Sequence, residues 1–389
     1  MHRRTLLKGG AAALFALGVE GCATDSVIRK TSVQPGPLRS KLNLPPVEAS
    51  WDRVIRTTVG LRPHRDAGFV LRAEKLDEKL LVHNYGHGGS GMSLSWGTSY
   101  MAAEIAAGQN QRRAAVIGCG VAGLTSARQL QRRGFEVTIY AMSVPPDTTS
   151  NMSLAGFTPT SGLVQIARRT AEWDAQFRRA AAIAYRQLQL LMSPQYGISW
   201  IYSYSLSDKP ESGTDETGDL LPPELRTGGV VFRPGEHPFP SKYVIRRPTI
   251  RIEPSIYLDA LVRDFLLFGG HIVIRKFDTP RDLMSVSEPV IVNCTGLGSR
   301  MLFGDQELIP LKGQLTHFVP QPEINYQTAS DVRNPGLRGP IGIHMMPRSD
   351  GLAMGGTSER DVWTLEPNEE ARMEIVNQHI QLFTAMRAA

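Results

Sequence analysis

Cysteine is scarce in this sequence. Its 389 residues hold three, Cys22, Cys119 and Cys294. That count excludes a disulfide-built scaffold. No apolar run reaches the roughly 18 residues of a spanning helix, so a polytopic membrane protein is excluded too. The 37 glycines and 26 prolines show no triplet period, which removes collagen-like chains. The formal charge of +6 contains no dense basic block beyond paired arginines, which argues against nucleic-acid binding. What remains is an ordinary globular composition, 41% apolar and 21% charged. The length suits two or three packed lobes.

The chain begins Met1-His2-Arg3-Arg4-Thr5-Leu6-Leu7-Lys8, and a short Ala- and Leu-rich run follows to Val19. The run is too short to anchor a helix across a bilayer and suits a signal h-region. The Arg-Arg-x-Leu-Leu-Lys start resembles a twin-arginine export signal, a route for folded proteins. Val19-Glu20-Gly21-Cys22 resembles a lipoprotein cleavage box with Cys22 as the lipidated residue. Simple cleavage nearby is the alternative. An exported, periplasmic or envelope location follows from either, with a membrane tether through Cys22 in the first case. Residues 1–22 are therefore read as the export segment. Residues 23–50, with Pro35, Pro37, Pro45 and Pro46 and no period, are read as a solvated tether.

The body turns regular from Trp51. Strands are expected over 54–61, 80–84, 114–118, 136–140, 199–205, 229–233, 242–252, 271–275, 290–294, 314–319, 341–346 and 351–355. Helices are expected over 92–107, 121–133, 163–192 in two pieces, 255–267 and 368–387. A polar loop fills 208–224, between strands, where a lid would lie. This mixture predicts an α/β fold, a Rossmann-type nucleotide domain joined to an antiparallel-sheet domain.

The segment 114–124 reads strand, Gly118-Cys119-Gly120-Val121-Ala122-Gly123, helix. Gly118 permits the tight turn, Gly120 the approach of a pyrophosphate, and Gly123 close helix–strand packing. The anion then sits before a helix N-terminus, with Val121 and Ala122 supplying backbone. The acid that usually closes the second strand is missing. Tyr140-Ala141-Met142-Ser143 stands there, so a ribose contact must come from elsewhere.

His83-Asn84-Tyr85-Gly86-His87-Gly88-Gly89-Ser90-Gly91-Met92-Ser93-Leu94-Ser95-Trp96-Gly97 is more specific. It closely resembles the flavin-contact motif of the D-amino-acid oxidase family. Val59-Gly60-Leu61-Arg62-Pro63-His64-Arg65 resembles the segment with that family's substrate-carboxylate arginine. Val290-Ile291-Val292-Asn293-Cys294-Thr295-Gly296, Pro310-Leu311-Lys312-Gly313-Gln314, Met346-Pro347-Arg348 and Gly355-Gly356-Thr357 resemble further signatures. Thr148-Thr149-Ser150, followed by Ala155-Gly156-Phe157, resembles the flavin-phosphate and pocket stretch. Tyr243, ten residues before Glu253, matches a pocket tyrosine.

The resemblance covers most of 51–389 and implies FAD as cofactor, with no metal. It places Gly88, Gly89, Gly91, Met92, Ser93, Gly118, Gly120, Val121, Ala122, Gly123, Thr148, Thr149, Ser150, Gly156, Thr295 and Gly296 around it. Arg62 would fork the substrate carboxylate and Gly89 would accept from its amine. Ser93 could add a hydroxyl donor to the flavin. Tyr243 either touches the carboxylate or packs in the core. His87 is read as structural, Arg246 and Arg247 as solvated strand-edge charges, and Cys119 and Cys294 as small packing residues. If Arg246 or Arg247 points inward, an acidic substrate side chain is implied.

The order of segments departs from the family. There the glycine loop opens the chain, and the arginine strand and His-Gly-Gly motif close it. Here the closing segments come first, which reads as a circular permutation. The expected organisation is 51–107 as the permuted segment, 108–190 as the FAD-binding unit, and 191–280 as the substrate domain. A FAD-domain strand follows over 281–305, substrate-domain strands over 306–365 and a closing helix over 366–389. A swapped homodimer, in which 51–107 completes a neighbour, is the rival; the short join at 107–113 favours one chain. The implied reaction is oxidative deamination of a D-amino acid by dioxygen, giving a 2-oxo acid, ammonia and hydrogen peroxide. A glycine- or sarcosine-oxidase type, a D-aspartate- or D-glutamate-selective oxidase, and a redox-silent lipoprotein binding module are the alternatives.

Overall fold

The computed structural model describes residues 41–210, 219–330 and 343–388. The leader, Cys22, residues 211–218 of loop 208–224 and the start of the strand expected at 341 lie outside those residues. In chain order the first elements are β1 (Val54–His64), β2 (Val70–Leu76), β3 (Lys79–Tyr85), α1 (Gly91–Ala107), β4 (Arg113–Ile117), α2 (Val121–Gln131) and β5 (Glu136–Ala141). Then come α3 (Ala171–Leu190), β6 (Ile198–Ser207), β7 (Val230–Phe232), β8 (Tyr243–Ile252), α4 (Pro254–Leu267), β9 (His271–Ile274), β10 (Val290–Asn293) and α5 (Gly298–Phe303). The chain closes with β11 (Ile309–Phe318), β12 (Tyr326–Ser330), β13 (His344–Arg348), β14 (Gly351–Gly355), β15 (Glu359–Arg360) and α6 (Glu369–Arg387).

Among the described residues these strands form two sheets. The first has the order β2-β3-β10-β4-β5-β9. Its core from β3 to β9 is parallel, and only β2 runs against its neighbour. The continuous apolar run Val290-Ile291-Val292 forms its middle, covered on both faces, as parallel strands require. Fully burying such side chains contributes about 1.5–3 kcal/mol each. Helices α1, α2, α3 and α4 supply the largest core cluster on one face, with Leu94, Trp96, Leu124, Phe177 and Phe265 buried.

The second sheet has the order β1-β11-β14-β13-β12-β6-β8-β7, with β15 added beside β11. Alternation divides it into two faces. One carries Tyr204, Val244, Phe318, Tyr326, Met345 and Leu352 into a core shared with α6. The register of successive strands puts Arg62, Gly313, Arg348, Gln327, Arg247 and Tyr243 on the other face. The segment after β5 and its 3-10 turn reaches this sheet, at Arg348 through Ser153 and at the backbone edge of β8 through Gly156. Arg348 Nη1 donates to Ser153 O at 3.0 Å, and Gly156 bridges to Arg251.

Three expectations change. The helix expected over 163–192 begins only at Ala171, where the Thr170 hydroxyl accepts from Trp173 N. The backbone before it is committed elsewhere, with Gln165 N bonded to Asp66 O. The solvated tether does not extend to residue 50. Residues 41–50 form no element, yet Val47 is fully buried against the α6 core. Tyr326 Oη donates to Pro45 O at 2.8 Å, and Glu48 and Gln321 exchange two bonds. Arg246 and Arg247 are not on a sheet edge, because β7 lies outside β8. The guanidinium of Arg246 covers the Tyr202 ring at 4.7 Å on one face, and Arg247 lies against Gly229 on the other.

Candidate active site

Parallel pairing puts the ends of β3, β10 and β4 side by side. Each strand runs into a turn and a helix, so three turns gather at one edge of the sheet, where α/β folds place ligands. Gly118 sits at φ +110, where a Cβ would stand 2.6 Å from Cys294 O. A Cβ on Gly123 would stand 1.9 Å from Gly118 O, so the second helix can approach only a bare backbone. Gly120 caps α2, and Val121 N–H donates to Ser150 Oγ at 3.0 Å. Ala122 follows, half-buried. Ser150 belongs to a short 3-10 turn, Thr149–Met152, opened by Thr148, whose hydroxyl donates to Asn151 Oδ1. This turn leans on β1, because Met152 Cβ lies 3.0 Å from where a Gly60 Cβ would be.

The His-Gly-Gly motif forms the neighbouring turn. Gly88 has φ +52, and a Cβ there would meet Gly162 O at 1.9 Å; at Gly89 it would meet Ser161 O at 2.8 Å. Gly91 starts α1, and a Cβ there would stand 3.7 Å from Val121 Cγ1, so the two helix N-termini converge. Met92 is buried beneath them. The Ser93 hydroxyl is not available as a ligand donor. It donates to Gly156 O at 3.1 Å and accepts from Thr158 N at 2.8 Å, fastening the 156–158 stretch. At the third turn, Thr295 N–H and hydroxyl both reach Asn293 Oδ1, and Gly296 at φ +56 faces Pro63.

Arg62 lies next to Pro63 on β1. Its Nε donates to Leu311 O at 3.1 Å, and Nη2 to Thr357 O at 2.6 Å and Lys312 O at 3.5 Å. Gly313 is the floor beneath it, since a Cβ there would stand 2.8 Å from Nη2. No carboxylate among the described residues lies within ion-pair distance. Burial holds the guanidinium below the ordinary arginine value. Tyr243 shares the face of Arg62, but five strands stand between β8 and β1 in the sheet. Its described partners are Ser207 across the strand pair, Ser241 and Lys242, so the structure does not bring it to Arg62 by any described contact.

Against this geometry, a family profile described as FAD dependent oxidoreductase matches residues 113–389. The chain belongs to the FAD-dependent oxidoreductase family. Among curated relatives, it is 28% identical over 295 residues to a D-amino-acid oxidase of Rubrobacter xylanophilus, covering 71% of this chain and 79% of that one. It is 29% identical over 267 residues to a D-amino-acid oxidase of Streptomyces coelicolor, covering 68% and 75%. The solved glycine oxidase of Bacillus cereus shares the fold, with a TM-score of 0.51 at 14% identity over 72% of this chain and 80% of that one.

The turns of this FAD-dependent oxidoreductase fit the cofactor. A Cβ at Gly120 would stand 3.2 Å from Ser150 Oγ, and the first N–H groups of α2 open onto that narrow space. No acid closes β5. Met142 is 72% exposed there, and Tyr140 turns its hydroxyl toward Glu288 at 3.4 Å.

Beneath the turns runs a buried polar chain that motif reading alone does not assign. Asn84 Nδ2 donates to Ser99 and Ser126, Ser99 meets Thr125, and Ser126 meets Cys294 Sγ at 3.4 Å. It locks α1, α2 and the end of β10 together. His87 bonds Thr98 through Nε2 at 3.0 Å, and burial pushes it down to about 4, so the ring is neutral and structural. Burial pushes the Cys119 and Cys294 thiols up to about 12, which suits inert packing. Sequence reading gave no role to Gly313, Thr357 or Ser161. Only the lattice of strands and turns places them, although Gly313 and Thr357 stand in quoted motifs.

Proposed function

We propose that this chain oxidises D-amino acids to 2-oxo acids, with release of ammonia and hydrogen peroxide. The observation that carries the proposal is Arg62: a guanidinium held by three backbone carbonyls, without a carboxylate partner, beside the glycine turns. An amino acid's carboxylate completes that site. Such a charge-assisted fork contributes roughly 1.5–3 kcal/mol. It fixes the substrate so that Cα–H faces the turn at Gly88 and Gly89, where no side chain intrudes, and the Gly89 carbonyl accepts from the amine. Positioning is then the main contribution of the protein. Bound FAD supplies the acceptor for the two electrons leaving Cα, with dioxygen as its oxidant. The N–H groups that open α1 at Gly91 and Met92 favour negative charge in front of them. Those that open α2, with Thr148, Thr149 and Ser150 alongside, hold the phosphates. Gly156, Thr295 and Gly296 line the remaining approach.

A second reading, an oxidase selective for D-aspartate or D-glutamate, requires the sheet to curl Arg247 toward Arg62, whose face it shares across five intervening strands. A turnover panel separates the readings. Peroxide from neutral D-amino acids supports the first, and from D-aspartate or D-glutamate alone the second. Peroxide from glycine or sarcosine alone overturns both, and colourless protein from FAD-supplemented cells overturns oxidase activity itself.

The proposed chain order is a circular permutation. Supporting it, the family profile starts at residue 113, while β3, inside 51–107, lies between β2 and β10 in the FAD sheet. Arg387 Nη2 also donates to Val47 O at 2.9 Å, so the ends that the other order would join lie together. A gene re-cut to place 51–107 after α6 should yield yellow, active protein. The proposed destination is the cell envelope, through the twin-arginine leader and a lipid on Cys22. Arg3→Lys with Arg4→Lys should retain the protein in the cytoplasm, and Cys22→Ala should release it from membranes.

A further inference from the structure

The turn at Ser161 and Gly162 walls the His-Gly-Gly motif from outside. Both residues are exposed, and their carbonyls pack on the bare backbone of Gly89 and Gly88. Gly162 also leans on β11, since a Cβ there would stand 3.2 Å from Leu311 Cδ1. An exposed turn keeps such a place only when its carbonyls are fastened. The Ser90 hydroxyl donates to Ser161 O at 3.0 Å. Among the described residues no backbone N–H bonds to Gly162 O, and the group that reaches it is His64, with Nδ1 at 2.9 Å.

His64 follows Arg62 on the same face of β1 and is buried. Its Nε2 lies 2.9 Å from Asp66 Oδ1. Arg360 Nη2 reaches both oxygens of that carboxylate, at 2.9 and 2.8 Å, and Asp66 O accepts from Gln165 N. Burial pulls the Asp66 carboxyl upward, but the bonds from His64 and Arg360 hold it below the ordinary carboxylate value. Arg360 comes soon after Thr357, whose carbonyl orients Arg62. The chain Arg360, Asp66, His64, Gly162 therefore spans the site, from the Arg62 anchor to the glycine turn. Other charges on the surrounding elements are committed elsewhere. Arg62 is on carbonyls, Arg65 on Glu307, Lys312 Nζ on Glu366 O, and neutral His87 on Thr98.

The two partners of His64 are a carboxylate and a carbonyl, and both can only accept. A neutral imidazole has one N–H and one lone pair, so it can satisfy one of them. Both contacts become hydrogen bonds when both ring nitrogens carry protons. We infer that His64 is a positioning residue of the oxidase, an imidazolium whose Nδ1–H fastens the 161–162 turn on Gly88 and Gly89 and so aligns the Gly89 carbonyl for the substrate amine. What the wall serves rests on the oxidase reading; the fastening itself does not. When the ring gives up a proton to solvent, the remaining N–H stays with Asp66, because a bond to an ionised acceptor is the stronger. The Nδ1 lone pair then faces Gly162 O, two acceptors are opposed, and the turn lets go.

The test reads the wall first and turnover second. In FAD-loaded protein, isotope-edited NMR of labelled histidine follows both ring nitrogens as pH rises, the His64 signals being those lost in His64→Gln. Amide exchange of Ser161 to Leu163, corrected for the intrinsic effect of pH, is measured over the same range. Both nitrogens should be protonated at the acid end, and exchange should quicken as the second proton leaves, with one shared midpoint. His64→Leu should lower kcat about 10- to 100-fold for the D-amino acid used fastest, with flavin absorption unchanged. Its KM should stay within about 3-fold, because Arg62 is untouched. His64→Gln keeps an N–H for Gly162 O, so it should restore kcat to within about 3-fold of the parent and abolish the pH step in exchange. Exchange that ignores the His64 proton overturns the inference, and so does a folded His64→Leu with the parent's kcat. If His64→Leu does not fold, an unrestored kcat in His64→Gln overturns it instead. A protein that oxidises no D-amino acid, yet whose exchange follows His64, loses the oxidase reading and keeps the fastened wall.

Discussion

Two arginines on the same face of the larger sheet have opposite surroundings. Arg348, on β13, is buried and forks Asp350 through Nε and Nη2 at 2.8 and 2.6 Å, with Nη1 on Ser153 O. Arg56 adds a second cation to Asp350 at 2.7 Å. Every charge there has a partner inside the protein, and the cluster ties the sheet to the segment after the phosphate turn. Arg62, on β1, has carbonyl oxygens but no carboxylate. Carbonyls orient a guanidinium without neutralising it. The comparison teaches that burial of a cation is not itself a mark of function; the missing counter-charge is.

Breaking the satisfied side should have the largest effect on the fold. Arg348→Met leaves Asp350 with only Arg56 and frees Ser153, and removal of one partner of a buried pair costs about 3–5 kcal/mol. We expect thermal unfolding to fall by roughly 10 °C, with the KM of whatever protein remains folded unchanged. Breaking the other side should do the reverse. Arg62→Ala should lower kcat/KM for D-amino acids by about 10- to 150-fold, the equivalent of one charge-assisted contact, with little change in melting temperature. Arg62→Lys should recover only part, since an ammonium cannot fork a carboxylate.

Acid sharpens the contrast further. His317 bonds Thr58 at 3.1 Å beside the Arg348 cluster. Burial, with Arg348 and Arg56 assisting, pushes it down to about 3. Its folded value lies below the unfolded value of about 6.5, so protons favour the unfolded chain as pH falls. The stability it secures is complete above pH about 6.5 and drains away between there and about 3. Melting temperature should decline across that window, and His317→Gln should flatten the decline. The smallest effect belongs to Tyr243→Phe. With five strands separating it from Arg62, it should alter KM by less than about 3-fold; a 10-fold rise would show that the sheet curls enough to bring the phenol to the carboxylate.

Much of this was legible in the chain. The run 114–123 states strand, phosphate turn and helix through its glycines alone. The β-branched run 290–292 states a central strand. Other features were hidden because their meaning depends on a partner far along the chain. Ser93 looks like a free hydroxyl until the 156–158 segment folds over it. Arg247 looks like an edge charge until β7 pairs outside β8. Val47 sits among prolines with no period, and only the α6 core gives it a place to be buried.

The sequence by itself determined the local chemistry: which turns need bare backbone, which strands must be covered, and which arginine stands in a carboxylate motif. Those properties arise from side-chain volume, φ preference and apolar pattern, all carried by neighbouring residues. The tertiary structure alone decided which charges are neutralised. Arg62 and Arg348 read alike as letters. Asp350 happens to reach one of them, while only carbonyls from β11 and Thr357 reach the other. Ion pairing acts over a few ångströms in space, and no spacing along the chain encodes that distance.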